Sequence, residues 1–275
     1  MNIRTPLRTL IRFLALAPLL AAGDGLAGDR PAQAYFSGTP LALAQAIERG
    51  DVARTEALAR QLGPSGLNRP GAQDMTPLFF ALHRAMGGKP QQLEIVTVLV
   101  RAGADPLQPV PDLGSVLGVA LQADSSRYVR ALLDGGASPD AILGSTPILF
   151  DVAREHTAAT LKLLLDRGAD VDRKDGLGNT ALMRALMGMQ LDQVLYLLDR
   201  GASPHFVNVN GVSFAGQLQF QIGRQQAGSP AQRRMLDIRD RLVALGVAWP
   251  PASREIERQR MRDRGQEPDK PLPVR

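Results

Sequence analysis

The sequence contains no cysteine. That excludes disulfides, thiolate metal sites and the lipidated cysteine of an exported lipoprotein. Asp24 follows Leu20-Ala21-Ala22-Gly23, where such a cysteine would have to stand. Histidine is scarce too, with three in 275 residues. His83, His156 and His205 lie far apart and make neither H-x-x-H nor H-E-x-x-H spacing, so no metal is expected. No G-x-S-x-G occurs, and no glycine-rich loop ends in Gly-Lys-Ser or Gly-Lys-Thr. Neither a nucleophile elbow nor a phosphate loop is therefore expected, nor any cofactor. Asp105, Asp170 and Asp175 recur at turns, where they read as turn formers and not as paired catalytic carboxylates.

Charge of one sign is also missing. The formal net charge is +5, from 32 Lys and Arg against 27 Asp and Glu. Without residues 1–34 the counts become 28 and 25, and the tail after Pro251 holds seven basic and five acidic residues. The body between is close to neutral. It offers no concentrated basic face, so nucleic acid is not an expected partner.

Arg4, Arg8 and Arg12 precede the apolar stretch Phe13–Ala22, and small residues follow. This order reads as a secretory signal over residues 1–34. The apolar stretch is too short to span a bilayer as a stable helix, so no stable membrane anchor is expected. Ala32-Gln33-Ala34 is the preferred cleavage site and Ala21-Ala22-Gly23 the second. An exported helical chain without cysteine suits the bacterial periplasm.

What is present is a repeat. Gly103-Ala104-Asp105-Pro106, Gly136-Ala137-Ser138-Pro139, Gly168-Ala169-Asp170-Val171 and Gly201-Ala202-Ser203-Pro204 place their glycines 33, 32 and 33 residues apart. Such a period signals stacked small units. Thr76-Pro77-Leu78, Ser115-Val116-Leu117, Thr146-Pro147-Ile148 and Thr180-Ala181-Leu182 stand one helical hairpin before the glycines. The hydroxyl residue is expected to cap a first helix, with proline at its first position. The apolar runs that follow, such as Leu161–Leu165 and Val194–Leu198, are expected to form second helices, each ended by a left-handed glycine.

These residues resemble the ankyrin-repeat family. The resemblance covers roughly residues 39–249. It implies an all-α solenoid of about six helix-turn-helix units, four clear and two degenerate caps, joined by β-hairpin-like loops. The expected organisation is a signal peptide over 1–34, a repeat domain over 35–251, and a charged C-terminal tail over 252–275, disordered beyond Gly265. Phe79, Leu149 and Met183 replace the histidine that the family places after Thr-Pro-Leu. Ala85–Pro90 reads as a longer loop between two helices, Gln108–Leu113 as an unusual hairpin, and Gly223–Gln232 as an insertion in the last unit.

The resemblance implies binding through hairpin tips and the open side of the first helices. Carried over residue by residue, the hairpin row includes Met75, Leu113, Ser145, Leu177, Asn179 and Val212. The first-helix row includes Phe80, His83, Arg84, Gln122, Arg154, Met187 and Met189. Such a chain is expected to be non-enzymatic, monomeric when free, and to bind one protein. Exported ankyrin proteins of this size look like two known kinds. One is an immunity protein that neutralises a toxin such as a secreted phospholipase effector. The other supports a periplasmic enzyme in peroxide defence. A hydrolase would need a cleft of converging polar groups, which the repeat pattern does not predict.

Overall fold

The computed structural model describes residues 30–88, 90–110, 113–153 and 157–273. Most of the expected signal segment, together with Arg154 and His156, lies outside the described residues. Two compact units divide between Asp105 and Pro106.

Among the described residues the first unit holds two 3-10 turns, Ala32–Ala34 and Ala72–Asp74, and four principal helices: α1 (Gly38–Arg49), α2 (Val52–Leu67), α3 (Pro77–Met86) and α4 (Pro90–Arg101). Asp51 caps α2 by accepting from the Arg54 N–H at 2.9 Å. Thr76 caps α3 by accepting from the Phe79 N–H at 3.1 Å, with Pro77 at the first helical position. Both satisfy amides that a helix start leaves unpaired. Gln92, fully buried, donates to the Ile47 carbonyl at 2.7 Å and ties α4 to α1.

The longer loop expected at Ala85–Pro90 is absent. Ala85 and Met86 extend α3, and Pro90 begins α4. These helices have 10 and 12 residues, against 7 and 9 in the corresponding pair near residues 181–199. Extra residues placed in a helix satisfy their own backbone groups, which a loop would leave to water.

Packing in the first unit includes residues on both sides of position 35. Ala32, Tyr35 and Phe36 are buried. The Ala32 N–H donates to Glu48 Oε1 at 3.2 Å, and the Ala72 N–H donates to the Tyr35 carbonyl at 2.8 Å. Arg84 binds Glu48 at 2.6 Å and the Arg30 carbonyl at 3.0 Å. Tyr35, Phe36 and Phe80 form a cluster with ring centroids 5.8 to 6.3 Å apart. Burial pushes the Tyr35 phenol above its ordinary pKa, against the pull of Arg30 and Arg84. The aromatic residues make this short segment part of the core.

The second unit alternates hairpins with helix pairs. Strands β1 (Pro109–Val110) and β2 (Gly114–Ser115) pair antiparallel, Pro109 facing Ser115, and lead into α5 (Val116–Gln122) and α6 (Arg127–Asp134). Strands β3 (Ile142–Leu143) and β4 (Thr146–Pro147) lead into α7 (Ile148–Asp151) and α8 (Ala158–Asp166). Helices α9 (Ala181–Met187), α10 (Leu191–Asp199), α11 (Phe214–Gly223) and α12 (Pro230–Ala244) complete two more pairs, and α13 (Arg254–Asp263) follows.

The repeated Gly-Ala step has a local cause. Gly136, Gly168 and Gly201 have φ of 108°, 85° and 88°. The next residue's N–H turns back onto the helix: Ala137 to Leu132, Ala169 to Leu164 and Ala202 to Leu197, at 2.9 to 3.0 Å. This closes the helix end on a left-handed residue, and the small Ala is buried beneath it. The expected hydroxyl caps are only partly present. Ser115 and Ser213 accept from the Gly118 and Gly216 N–H groups. Thr146 lies in β4, with Pro147 as the residue preceding α7, and Thr180 makes no capping bond.

Adjacent second helices are also joined by charge. Asp134 pairs with Arg167 at 2.6 Å, Asp166 with Arg200 at 2.7 Å, and Asp199 with Arg241 at 3.2 Å. The Arg200 guanidinium holds the Asp166 carboxyl below the usual carboxylate range. Each pair is partly exposed, so solvent and salt screen it and it adds little to stability.

The tail departs from the expected disorder. After α13 the described chain turns back along the unit, and the Asp269 and Leu272 N–H groups donate to the Val209 and Gly176 carbonyls, both at 2.7 Å. Backbone donors with fixed acceptors order a segment whose composition alone reads as solvated.

Candidate functional site

The face expected to bind a partner is built by the hairpin tips and the first helices. At the tip before α9, Asp175 Oδ1 accepts from the Leu177 and Asn179 N–H groups, both at 2.9 Å. This Asx turn consumes the carboxylate in shaping the loop. Asn179 Oδ1 accepts from the Asn208 side-chain amide at 3.0 Å, and the Val209 N–H donates to the Leu177 carbonyl at 2.9 Å. The two tips are thus locked side by side. Leu177 remains 47% exposed at the first of them.

On α9 and the turn after it, Met187 is 55% and Met189 38% exposed. Met189 has φ of 58°, uncommon outside glycine. Its turn is closed by the Gln190 N–H donating to the Ala185 carbonyl at 2.9 Å. Phe220, on α11, is 57% exposed, with the Arg224 guanidinium 5.4 Å from its ring. Counting from Thr180 and Ser213, Met187 and Phe220 hold the same place in successive helix pairs.

The other expected contact residues divide by unit. Gln122 and Ser145 are exposed in the second unit, Leu113 and Asn179 half-buried there. In the first unit Met75 and Phe80 are buried, at 2% and 0% exposure. Their expected contact roles are corrected: both side chains belong to the core, Phe80 in the aromatic cluster. His83 is half-buried. Arg84 is engaged by Glu48 and the Arg30 carbonyl, and its guanidinium lies 5.0 Å from the Phe80 ring. Arg154 lies outside the described residues.

Phe220 was missed by sequence reasoning. The signal for it was Ser213, which starts α11 in the same register as Thr180.

Among the described residues, no group of three or more His, Asp or Glu is placed to hold a metal ion. No described helix is long and apolar enough to cross a membrane. A cavity of about 630 Å³ in the second unit opens between His205, Phe206, Pro250, Glu257, Arg260 and Arg264. Its buried acid, Glu257, is paired with Arg260 at 2.8 Å, and His205 Nε2 lies 3.2 Å from the Leu245 carbonyl oxygen. Phe79, Leu149 and Met183, which replace the family histidine, are all buried.

A family model described as ankyrin repeats (3 copies) matches residues 117–208. Protein PhlB of Serratia liquefaciens is 36% identical over 188 residues, covering 64% of this chain and 78% of PhlB. Ankyrin repeat domain-containing protein SAT10 of Stachybotrys chartarum is 35% identical over 145 residues, which are 52% of this chain and 7% of SAT10. Among solved structures, the ankyrin repeat domain of Bcl-3, a unique member of the IkappaB protein family, aligns with a TM-score of 0.50 at 22% identity. It covers 77% of this chain and 98% of the Bcl-3 domain, a likeness of fold.

Proposed function

Because the chain belongs to the ankyrin-repeat family, whose members are generally non-catalytic protein-binding scaffolds, we propose that it docks one protein on the exposed face around α9 and α11. The observation that carries this is the exposure of Met187 and Phe220 at equivalent places in successive helix pairs. Exposed apolar residues rimmed by arginine suit an interface core, where a few such side chains carry most of the energy. Arg184 and Arg224, both exposed, call for acidic residues at the edge of the partner's patch.

The partner is a secreted effector, which the chain neutralises by stoichiometric binding after its own export. Support for export is the order of Arg4, Arg8, Arg12 and the apolar stretch Phe13–Ala22. Ala21-Ala22-Gly23 is then the processing site, because a cut after Ala34 would remove buried Ala32 and its bond to Glu48.

The test is a pair of substitutions and a sensitivity assay. Cells lacking the gene are challenged with a neighbouring strain that delivers effectors, and are complemented with the wild type or with Met187→Glu/Phe220→Glu. Protection by the wild type, loss of it in the variant, and a 1:1 complex by light scattering are the expected results. Unchanged effector sensitivity together with new peroxide sensitivity would overturn neutralisation in favour of support for a periplasmic enzyme. Full protection by the double variant would remove the proposed face.

A further inference from the structure

The hairpin tips of the second unit already carry a peptide, the chain's own C-terminal segment, which turns at Pro268-Asp269 before it reaches Leu272. The Leu272 N–H donates to the Gly176 carbonyl and the Asp269 N–H to the Val209 carbonyl. Three residues along the segment therefore span the two neighbouring tips. Arg258 of α13 forms an ion pair with the Asp269 carboxylate. A Cβ on Gly178 would lie 3.4 Å from Leu272 Cδ1, so the leucine rests directly on the first tip.

The base of this arrangement is firmly built. The Arg254 guanidinium donates to the Asn210 carbonyl at 2.6 Å. At Gly211 an added Cβ would meet Arg258 Cγ at 2.6 Å and the Arg254 carbonyl at 2.9 Å. Met261 and Glu257 are buried. Helix α13 is thus seated on the last tip without room to spare. The segment beyond it is held differently. Two backbone bonds and one ion pair attach it, and Leu272 is 42% exposed. A segment with few buried contacts opens locally while its neighbours stay folded.

We propose that the two tips form a binding site for a short turned segment with an acidic residue followed three positions later by an apolar one, and that residues 267–272 occupy this site in cis. The Val209 and Gly176 carbonyls supply affinity by accepting from the segment's backbone, and Arg258 supplies selectivity for the acidic residue. The proposal rests on the tail geometry alone and stands apart from the identity of any protein partner. Tethering makes a weak contact persistent, because the local concentration of the tail is high.

The test uses the full chain and a fluorescent peptide of residues 266–275. In the variant Asp269→Asn/Leu272→Ala the tail is weakened while both tips and Arg258 stay intact. Asn is chosen because residue 269 has φ of 67°, which it tolerates. The peptide is expected to bind this variant at least tenfold more tightly than the wild type, with a Kd of roughly 0.1–1 mM. Adding Arg258→Ala to the variant should weaken peptide binding severalfold. Hydrogen exchange on the wild type should show protection at the Asp269 and Leu272 amides, lost in the double variant, with α12 unchanged. Equal peptide affinity for variant and wild type, or no binding to either, overturns the proposal. So does a wild-type dimer by sedimentation that dissociates in the double variant, because the site would then be filled by a second copy.

Discussion

Gly71→Ala isolates the contact that joins residues 30–36 to the first unit. Gly71 has φ of −86° and ψ of −156°, which alanine adopts without strain, so any penalty is steric. The new Cβ would lie 2.3 Å from the Tyr35 carbonyl oxygen and 3.0 Å from Phe36 Cδ1. Relief requires a shift of roughly 1 Å at a place where neighbouring atoms are already in contact. The same shift stretches the bond from the Ala72 N–H to the Tyr35 carbonyl, now 2.8 Å. Overpacking costs about 1–3 kcal/mol and the hydrogen bond about 1, so Tm should fall by roughly 5–15 °C. The assay is thermal unfolding followed by circular dichroism, in a chain beginning at Asp24 and in one beginning at Ser37. In the shorter chain the clashing atoms are gone, and the penalty should drop below about 0.5 kcal/mol. Gly223→Ala is the control: nothing lies within 4 Å of its added Cβ, and it should be neutral or stabilising by about 0.4–1 kcal/mol. Equal penalties in the long and short chains, or none in the long one, would refute the docking of residues 30–36.

Phe80→Ala removes a fully buried ring packed against Tyr35 and Phe36, and should cost about 3–5 kcal/mol by denaturant unfolding. Met189→Gly relieves a left-handed backbone at an exposed apolar residue, so stability should hold or rise by up to about 1 kcal/mol while affinity for the protein ligand falls. Asp166 is held below its ordinary pKa chiefly by its hydrogen bond to Arg200. Its contribution is complete above the ordinary carboxylate pKa and is lost as pH falls through the depressed folded value. The Tm gap between wild type and Asp166→Asn should therefore be present at neutral pH, and close in strong acid or high salt.

Much of the architecture is local and was legible for that reason. A left-handed residue at the end of a helix needs glycine, and the small space beneath it needs alanine. The four Gly-Ala steps therefore announce four helix ends before any contact is known. The distribution of the extra residues was not legible. Gly87-Gly88 marks a turn, but whether Ala85 and Pro90 join it or the helices depends on what those helices pack against. The contact rows show the same limit. Leu177, Met187 and Met189 were placed by register and are exposed, while Met75 and Phe80, placed by the same register, are core. Phe80 packs against Tyr35 and Phe36, which lie outside the repeat pattern.

The sequence by itself determined the repeat, its period, the helix ends and the absence of thiol chemistry, because each follows from one residue's own conformational or chemical preference. Only the tertiary structure decided which apolar residues face out, that Tyr35 and Phe36 pack in the first unit, and that the C-terminal segment lies across two hairpin tips. Those outcomes depend on which surfaces meet. Arg258 meeting Asp269, or the Tyr35 carbonyl lying over Gly71, joins residues whose types alone do not name each other.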